Sequence, residues 1–222
     1  MDELIVRLMR TLANQERLRI LSFLFTQGEK PPSEIAHKLG LLDSVLSSHL
    51  AKLAAVGIVQ RRRSGGWIYC AAVSPYAETT LSGKTTEWLK RLLTSAVATV
   101  KDYGLREVRN SPDGDAEGVL RQVIFDAATA FTDVRRIQIV RHLFLKGASS
   151  METLCDDLKM SIPAACRQTD KLVRRGYVLT QSRGLDATFS IAKEFKTRVH
   201  AELWEIVRES WKEKELRTSR SP

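Results

Sequence analysis

Leu41 to Leu53 reads Leu-Leu-Asp-Ser-Val-Leu-Ser-Ser-His-Leu-Ala-Lys-Leu, and the spacing of its leucines decides the fold. Leu46, Leu50 and Leu53 recur at helical intervals with Val45 beside them, which predicts an amphipathic helix. Asp43 stands where an N-cap belongs, and Gly57 closes the helix after Val56. Just upstream, Ser33 and Glu34 open a capped short helix with Ile35 and Leu39 as its apolar pair, stopped by Gly40. Two short helices across a tight turn make a helix-turn-helix. Downstream, Ile58-Val59-Gln60-Arg61 and Trp67-Ile68-Tyr69-Cys70 flank the turn Gly65-Gly66, so a basic β-hairpin follows. That hairpin is the wing of a winged helix. Two amphipathic helices precede the motif, one carrying Leu4, Ile5, Leu8 and Met9 on one face, the next carrying Leu18, Leu21, Leu24 and Phe25 up to Gly28.

Displaced by 119 residues, the chain lines up with itself without a gap from Arg17 to Val59. Arg17 falls on Arg136, Ile20 on Ile139, Gly28 on Gly147, Lys52 and Leu53 on Lys171 and Leu172, and Gly57 on Gly176. The matches sit at core and turn positions, and the surface has diverged, which points to a duplication. The second copy predicts helices near 116–131, 133–146, 150–159 and 162–175, with Pro163 at a first helical position. Its hairpin joins Tyr177-Val178-Leu179 to Thr188-Phe189-Ser190-Ile191 through Arg183-Gly184. Each copy closes with a longer helix, over 76–102 with Trp88 and Leu92, and over 193–216 with Phe195, Leu203 and Trp211. The expected organisation is a first winged-helix domain over 1–102, a turn-rich linker over 103–115, a second, diverged one over 116–217 and a frayed tail over 218–222. The fold class is mainly α with small β-hairpins, two tandem winged helix-turn-helix domains.

The 222 residues carry 35 Lys and Arg against 26 Asp and Glu, a net charge of +9, which suggests an anionic partner. Both copies are basic. No apolar run reaches the roughly 18 to 20 residues of a membrane span, and Met1-Asp2-Glu3-Leu4 lacks the plan of a secretory signal, so a cytoplasmic, nucleoid-associated protein is expected. Cys70, Cys155 and Cys166 show no CxxC spacing, which fits neither a disulfide framework nor a four-cysteine zinc site.

Three stretches of the first copy, Leu12-Ala13-Asn14-Gln15-Glu16-Arg17-Leu18-Arg19-Ile20-Leu21, Leu41 to Leu53 with Ser44, Ser47, His49 and Leu50, and Gly66-Trp67-Ile68-Tyr69, together covering about 60 residues, carry a resemblance to the bacterial ArsR/SmtB family of winged-helix repressors. It implies a bacterial transcription repressor. Because members of that family pair through their terminal helices, it also implies that the fused copies form an intramolecular pseudo-dimer, in preference to a homodimer of the whole chain. The alternative is that each terminal helix packs on its own domain. Many relatives sense metal, but the cysteine pair used for this is missing: Ile35-Ala36-His37-Lys38 has no cysteine, and Cys155 is followed by Asp156-Asp157. On the last helix His200 has only Glu202 and Glu205 nearby in sequence. No metal and no cofactor are expected, since a transition metal needs three or four convergent ligands.

A helix-turn-helix reads double-stranded DNA from the N-terminal half of its second helix. The candidates in the first copy are Asp43, Ser44, Val45, Ser47, Ser48, His49 and Lys52, whose hydroxyls suit phosphate or base edges and whose Val45 suits a thymine methyl. Ser48 departs from the family, where arginine is frequent. In the second copy the candidates are Pro163, Ala164, Arg167, Gln168 and Lys171, so the two helices should prefer different half-sites of an asymmetric operator. Arg61, Arg62 and Arg63 in the first wing and Arg183 in the second would clamp phosphate or enter a minor groove; a solvated turn is the other reading.

Cys70 is expected in the core, and Cys166 beside Arg167 raises redox sensitivity as a minor alternative. Trp88, Trp204 and Trp211 suit packing anchors better than a ligand cage. No nucleophile and base pattern, phosphate-cradling loop or paired-carboxylate motif stands out, so the chain reads as a non-enzyme. Two further readings stay open. Tandem winged helices also build replication initiators and chromosome-segregation adaptors that bind protein, and in the other reading only the first copy reads DNA while the second serves assembly or regulation.

Overall fold

The computed structural model describes residues 1–105, 115–183 and 186–218, with side chains described up to Trp211 except for 182–186. The expected linker is therefore described only at its ends, and the tail beyond Thr218 and the turn residue Gly184 lie outside the described residues. The chain forms two compact units, one of Thr11–Phe125 and one of Met1–Arg10 with Asp126–Pro222. Each unit draws on both halves of the sequence. Among the described residues no helix is long and apolar enough to cross a membrane.

In the Thr11–Phe125 unit, α2 (Gln15–Gln27) starts at Asn14, whose side chain accepts the Arg17 N–H at 3.0 Å. The sequence α3 (Pro32–Leu39), turn, α4 (Asp43–Ala55) follows, with Gly40 in the left-handed region at φ 64°. Neither short helix uses the expected cap. The N-cap of α3 is Pro31, so that Ser33 is already inside the helix, and the N-cap of α4 is Leu42, so that Asp43 is its first residue. Prolines at 31 and 32 preset the backbone at the start of α3, which removes the need for a capping hydroxyl. Leu18, Ile20, Leu21, Ile35, Leu46, Leu50, Leu53 and Ile58 are buried together as the core of the motif.

Strands β1 (Gln60–Ser64) and β2 (Trp67–Ala71) pair antiparallel from Gln60↔Ala71 to Ser64↔Trp67. Their two-residue loop has Gly65 at φ 56° and Gly66 at φ 84°, the positive pair that a tight hairpin turn needs. Cys70 is fully buried in β2 and exchanges backbone hydrogen bonds with Lys30 at 2.8 and 3.0 Å, tying the wing to the start of α3.

The single helix expected over 76–102 is two, α5 (Leu81–Thr94) and α6 (Ala96–Asp102), broken at Ser95 with φ −127° and ψ 52°. The Thr99 hydroxyl donates to the Leu92 carbonyl at 3.2 Å, which stabilises the break. Helix α5 begins five residues later than expected because Thr80 caps it, accepting from the Gly83 N–H at 3.1 Å. The first turns of α7 (Ala116–Thr129) complete the unit: Glu117 accepts from Ser22 at 3.0 Å and Gln122 from Gln15 at 2.8 Å.

In the other unit, β3 (Ser149–Ser150) lies between α8 (Val134–Lys146) and α9 (Met151–Leu158), α10 (Ile162–Arg174) follows, and the three-stranded sheet has the order β3, β5 (Asp186–Ile191), β4 (Val178–Arg183). Helix α11 (Arg198–Thr218) starts later than the expected 193, with the Thr197 hydroxyl accepting the His200 N–H at 3.4 Å. The residues before it keep Phe195 against Tyr177 at 5.6 Å between ring centroids. Helix α1 (Asp2–Leu12) contributes its first turns: Asp2 accepts from Trp211 Nε1 at 3.0 Å and pairs with Arg141 at 3.5 Å. Its buried stripe is Ile5, Leu8 and Met9, while Leu4, expected on that face, is 57% exposed. Trp204 and Trp211 are buried against Phe144, as packing anchors should be.

Two consequences for stability are measurable. A methyl group on Gly83 would lie 2.2 Å from the Ala77 carbonyl oxygen and 2.8 Å from the Glu78 Cα, both backbone atoms. Gly83→Ala should therefore lower the urea midpoint, at a cost of about 1–3 kcal/mol, where an open helical glycine would gain about 1 kcal/mol from the same change. His200 is 3% exposed, and burial, reinforced by Lys196, pushes its pKa down to about 4. The fold holds it neutral while the unfolded chain protonates near pH 6.5, so its contribution is complete above about pH 6.5 and is lost as pH falls toward 4. Urea midpoints measured across that range should fall with acidity, and His200→Gln should flatten the slope.

Candidate nucleic-acid interface

Helix α4 is anchored by Leu46, Leu50 and Leu53, which are at most 1% exposed, and this burial turns its opposite face outward. Asp43, Ser44, Val45, Ser47, Ser48 and Lys52 are all exposed on it. His49 departs from that row. It is half-buried, its Nδ1 has no hydrogen-bond partner among the described residues, and burial followed by the charge of Arg17 holds its pKa below the ordinary histidine value. It is thus less exposed than the residues beside it on the helix.

The three wing arginines do not act alike, because successive residues of a strand point to opposite faces. Arg61 reaches back to α4, donating to the Ser47 carbonyl at a long 3.4 Å. Arg62 points the other way: it donates to both carboxylate oxygens of Glu29, at 3.1 and 2.7 Å, and lies 5.7 Å from the Tyr69 ring centroid. That pairing raises the Arg62 pKa and lowers that of Glu29. Arg63 is exposed and makes no hydrogen bond or ion pair among the described residues. Beside it, Trp67 is 65% exposed at the end of the wing. Its signal in the sequence was a large aromatic residue next to a glycine turn with no apolar partner in register.

In the second unit the expected contact row divides. Pro163, Arg167 and Lys171 are exposed on α10. Ala164 and Gln168 are not: they are 8% and 7% exposed, and Gln168 Oε1 accepts from Arg136 Nη1 at 2.9 Å. Buried Arg136 needs acceptors for its guanidinium, and Gln168 supplies one, which draws that side chain inward. These two residues are removed from the surface set. Arg183 has its backbone in β4, and its side chain lies outside the described residues. Arg174, exposed one turn beyond Lys171, extends the basic stripe and was missed because it falls at the expected helix end.

His142 Nε2 lies 3.1 Å from Ser149 Oγ and its Nδ1 3.7 Å from Asp157, a serine, histidine and carboxylate row. Ser149 is 7% exposed and its hydroxyl donates to the Gly147 carbonyl, while Asp157 is paired with Lys146 at 2.7 Å. The row ties β3 to α8 and α9 and presents no accessible nucleophile. Burial pushes the Cys70 and Cys155 thiols up, away from the reactive thiolate. Among the described residues no group of three or more His, Cys, Asp or Glu side chains is placed to hold a metal ion.

The motif built by α2, α3, α4 and the start of β1 coincides with a known family: residues 14–61 match bacterial regulatory protein, arsR family. Residues 14–61 are an ArsR-family helix-turn-helix domain. The chain is similar to nodulation protein NolR of Rhizobium meliloti, 39% identical over 72 residues, which cover 32% of this chain and 58% of that protein. It is also similar to arsenic resistance transcriptional regulator ArsR1 of Pseudomonas putida, 37% identical over 60 residues, 27% of this chain and 47% of that one. The matched stretch thus spans about half the length of these curated relatives. No solved structure matches the chain.

The division on α10 can be measured. Gln168→Ala should lower the urea midpoint, by about 1–3 kcal/mol, because it leaves a buried guanidinium N–H without its acceptor. Arg167→Ala, at an exposed position, should leave the midpoint within about 0.5 kcal/mol of the parent.

Proposed function

We propose that the chain is a sequence-specific, double-stranded-DNA-binding transcriptional regulator that acts as a repressor in the bacterial cytoplasm, on the nucleoid, without sensing metal. The observation that carries this reading is the surface of the ArsR-family domain, where Ser44, Val45, Ser47 and Ser48 share the exposed face of α4 and Arg61 and Arg63 lie on the adjoining wing. Small hydroxyls and a methyl-bearing side chain suit base edges and phosphates, and the wing cations suit a neighbouring phosphate strand. The names of the similar proteins, a nodulation protein and an arsenic resistance transcriptional regulator, support regulation as the role.

The second half is read as a duplicated winged helix, giving domains over 1–102 and 116–217 joined by 103–115. In its support, adding 119 to the bounds of α2, α3 and α4 reproduces those of α8, α9 and α10, and the Lys30↔Cys70 bridge recurs as Ser149↔Phe189. The fused copies then form a pseudo-dimer within one chain. Burial of Ala164 and Gln168 favours unequal roles, with α4 reading bases and α10 supplying phosphate contacts through Arg167 and Lys171. An imperfect operator with two unlike half-sites is the expected target.

Selection of bound fragments from genomic and random DNA, followed by salt titration, tests the reading. The expected outcome is a shared motif with half-sites about one helical turn apart, bound about a thousandfold or more tighter than a scrambled sequence. Arg63→Ala should weaken binding to specific and random DNA alike and reduce the salt slope by about 1, and Arg62→Ala should do so less, because Glu29 already neutralises Arg62. Salt-sensitive binding indifferent to sequence would overturn the regulator.

A further inference from the structure

The unit containing Asp126–Pro222 holds an open pocket of about 480 Å3 between the end of α7, the start of α8 and the last turns of α10. It is lined by Thr129, Thr132, Arg136, Lys171, Arg174 and Arg175. Arg136, 5% exposed, is its floor. Its Nε donates to the Ala130 carbonyl at 2.7 Å, Nη1 to Gln168 at 2.9 Å, and Nη2 to the Thr132 hydroxyl at 2.6 Å and the Thr129 carbonyl at 3.1 Å. Every one of these acceptors is neutral, and among the described residues no carboxylate lies within ion-pair distance of it. Asp133 acts on it only from farther off. A guanidinium buried without a counter-ion leaves a positive field in the pocket that water screens poorly. At the rim, Arg175 is paired with Asp126 at 2.5 Å, whereas the exposed Lys171 and Arg174 make no ion pair among the described residues.

Cations at the end of α10 also complement the helix dipole, but that accounts for neither the buried Arg136 nor its neutral surroundings. On the duplicated reading, the positions 119 residues before Arg174 and Arg175 are Ala55 and Val56, so the fold does not require either arginine. Of the four cations lining the pocket, Arg136 and Lys171 have cationic counterparts in Arg17 and Lys52, whereas Arg174 and Arg175 are particular to the second half. Arginine and lysine together are the usual holders of phosphate oxygens. The volume suits a small ligand, and no aromatic ring among the lining residues offers a face for stacking a base.

We propose that this pocket binds a small, multiply charged phosphate compound with no aromatic part. Because Lys171 lies both on the pocket wall and on the exposed face of α10, the bound anion neutralises a cation that DNA would use. Opposition between ligand and DNA rests on the regulator reading; occupancy of the pocket does not.

Calorimetric titration of sodium pyrophosphate into the full chain, at fixed ionic strength, tests the proposal on the parent protein, Arg174→Glu, Lys171→Gln and Lys52→Ala. One saturable site is expected in the parent and in Lys52→Ala, weakened about tenfold or more, or about 1.4 kcal/mol, in Arg174→Glu and Lys171→Gln, with unchanged urea midpoints as the check on folding. No saturable binding in the parent, or equal binding by both pocket variants, overturns it. A second arm measures DNA binding with and without pyrophosphate. If pyrophosphate fails to bind the free chain while Arg174→Glu weakens DNA binding, the phosphate belongs to the DNA backbone and the free-ligand site is refuted. If pyrophosphate saturates a site that depends on Arg174 in a protein that binds no DNA, the pocket stands and the regulator reading fails.

Discussion

Two buried arginines set 119 residues apart fasten each three-helix set to the segment that precedes it. Arg17 Nε donates to the Thr11 carbonyl and Arg136 Nε to the Ala130 carbonyl, each six residues back, so that each guanidinium clasps the end of the preceding helix to the start of its own. Arg17 is 8% exposed and Arg136 is 5% exposed, and burial lowers the pKa of both. A charge taken out of water in this way must be surrounded by acceptors. Gln168 meets Arg136 from the later helix by hydrogen bond and is thereby withdrawn from the surface, while His49, at the matching position of the first half, is half-buried.

From that constraint follows the character of each exposed face. With His49 half-buried, α4 presents serines and Val45, a row of short side chains, with the longer Lys52 farther along. With Ala164 and Gln168 buried, α10 presents Pro163, Arg167 and Lys171, a row dominated by charge. Short hydroxyls discriminate by geometry, whereas long cations attract any phosphate, so on the proposed reading the two helices would contribute differently to recognition. The wing shows the same separation within three residues, since Glu29 occupies Arg62 and leaves Arg63 to the outside.

Most of the helical framework was legible in the chain itself. The leucine spacing of α4, the glycines at 28, 40, 57 and 65–66 and the 119-residue register located α2, α3, α4, α8, α9 and α10 closely, because periodic apolar positions and positive-φ turns are local properties. Helix caps and breaks were less legible. Nothing local distinguishes Asp43 as a first helical residue from Asp43 as a cap, and the break at Ser95 depends on the Thr99 hydroxyl reaching the Leu92 carbonyl.

By itself, then, the sequence determined the order and bounds of the helix-turn-helix, the hairpin and the excess of positive charge, since each follows from the type and spacing of neighbouring residues. Only the tertiary structure decided which polar residues of those helices remain outside, which arginines of the wing are already paired, and where four cations converge. Those outcomes depend on partners distant in the chain, Arg136 with Gln168 and Glu29 with Arg62, and on the rule that a buried charge collects acceptors from whatever element packs against it.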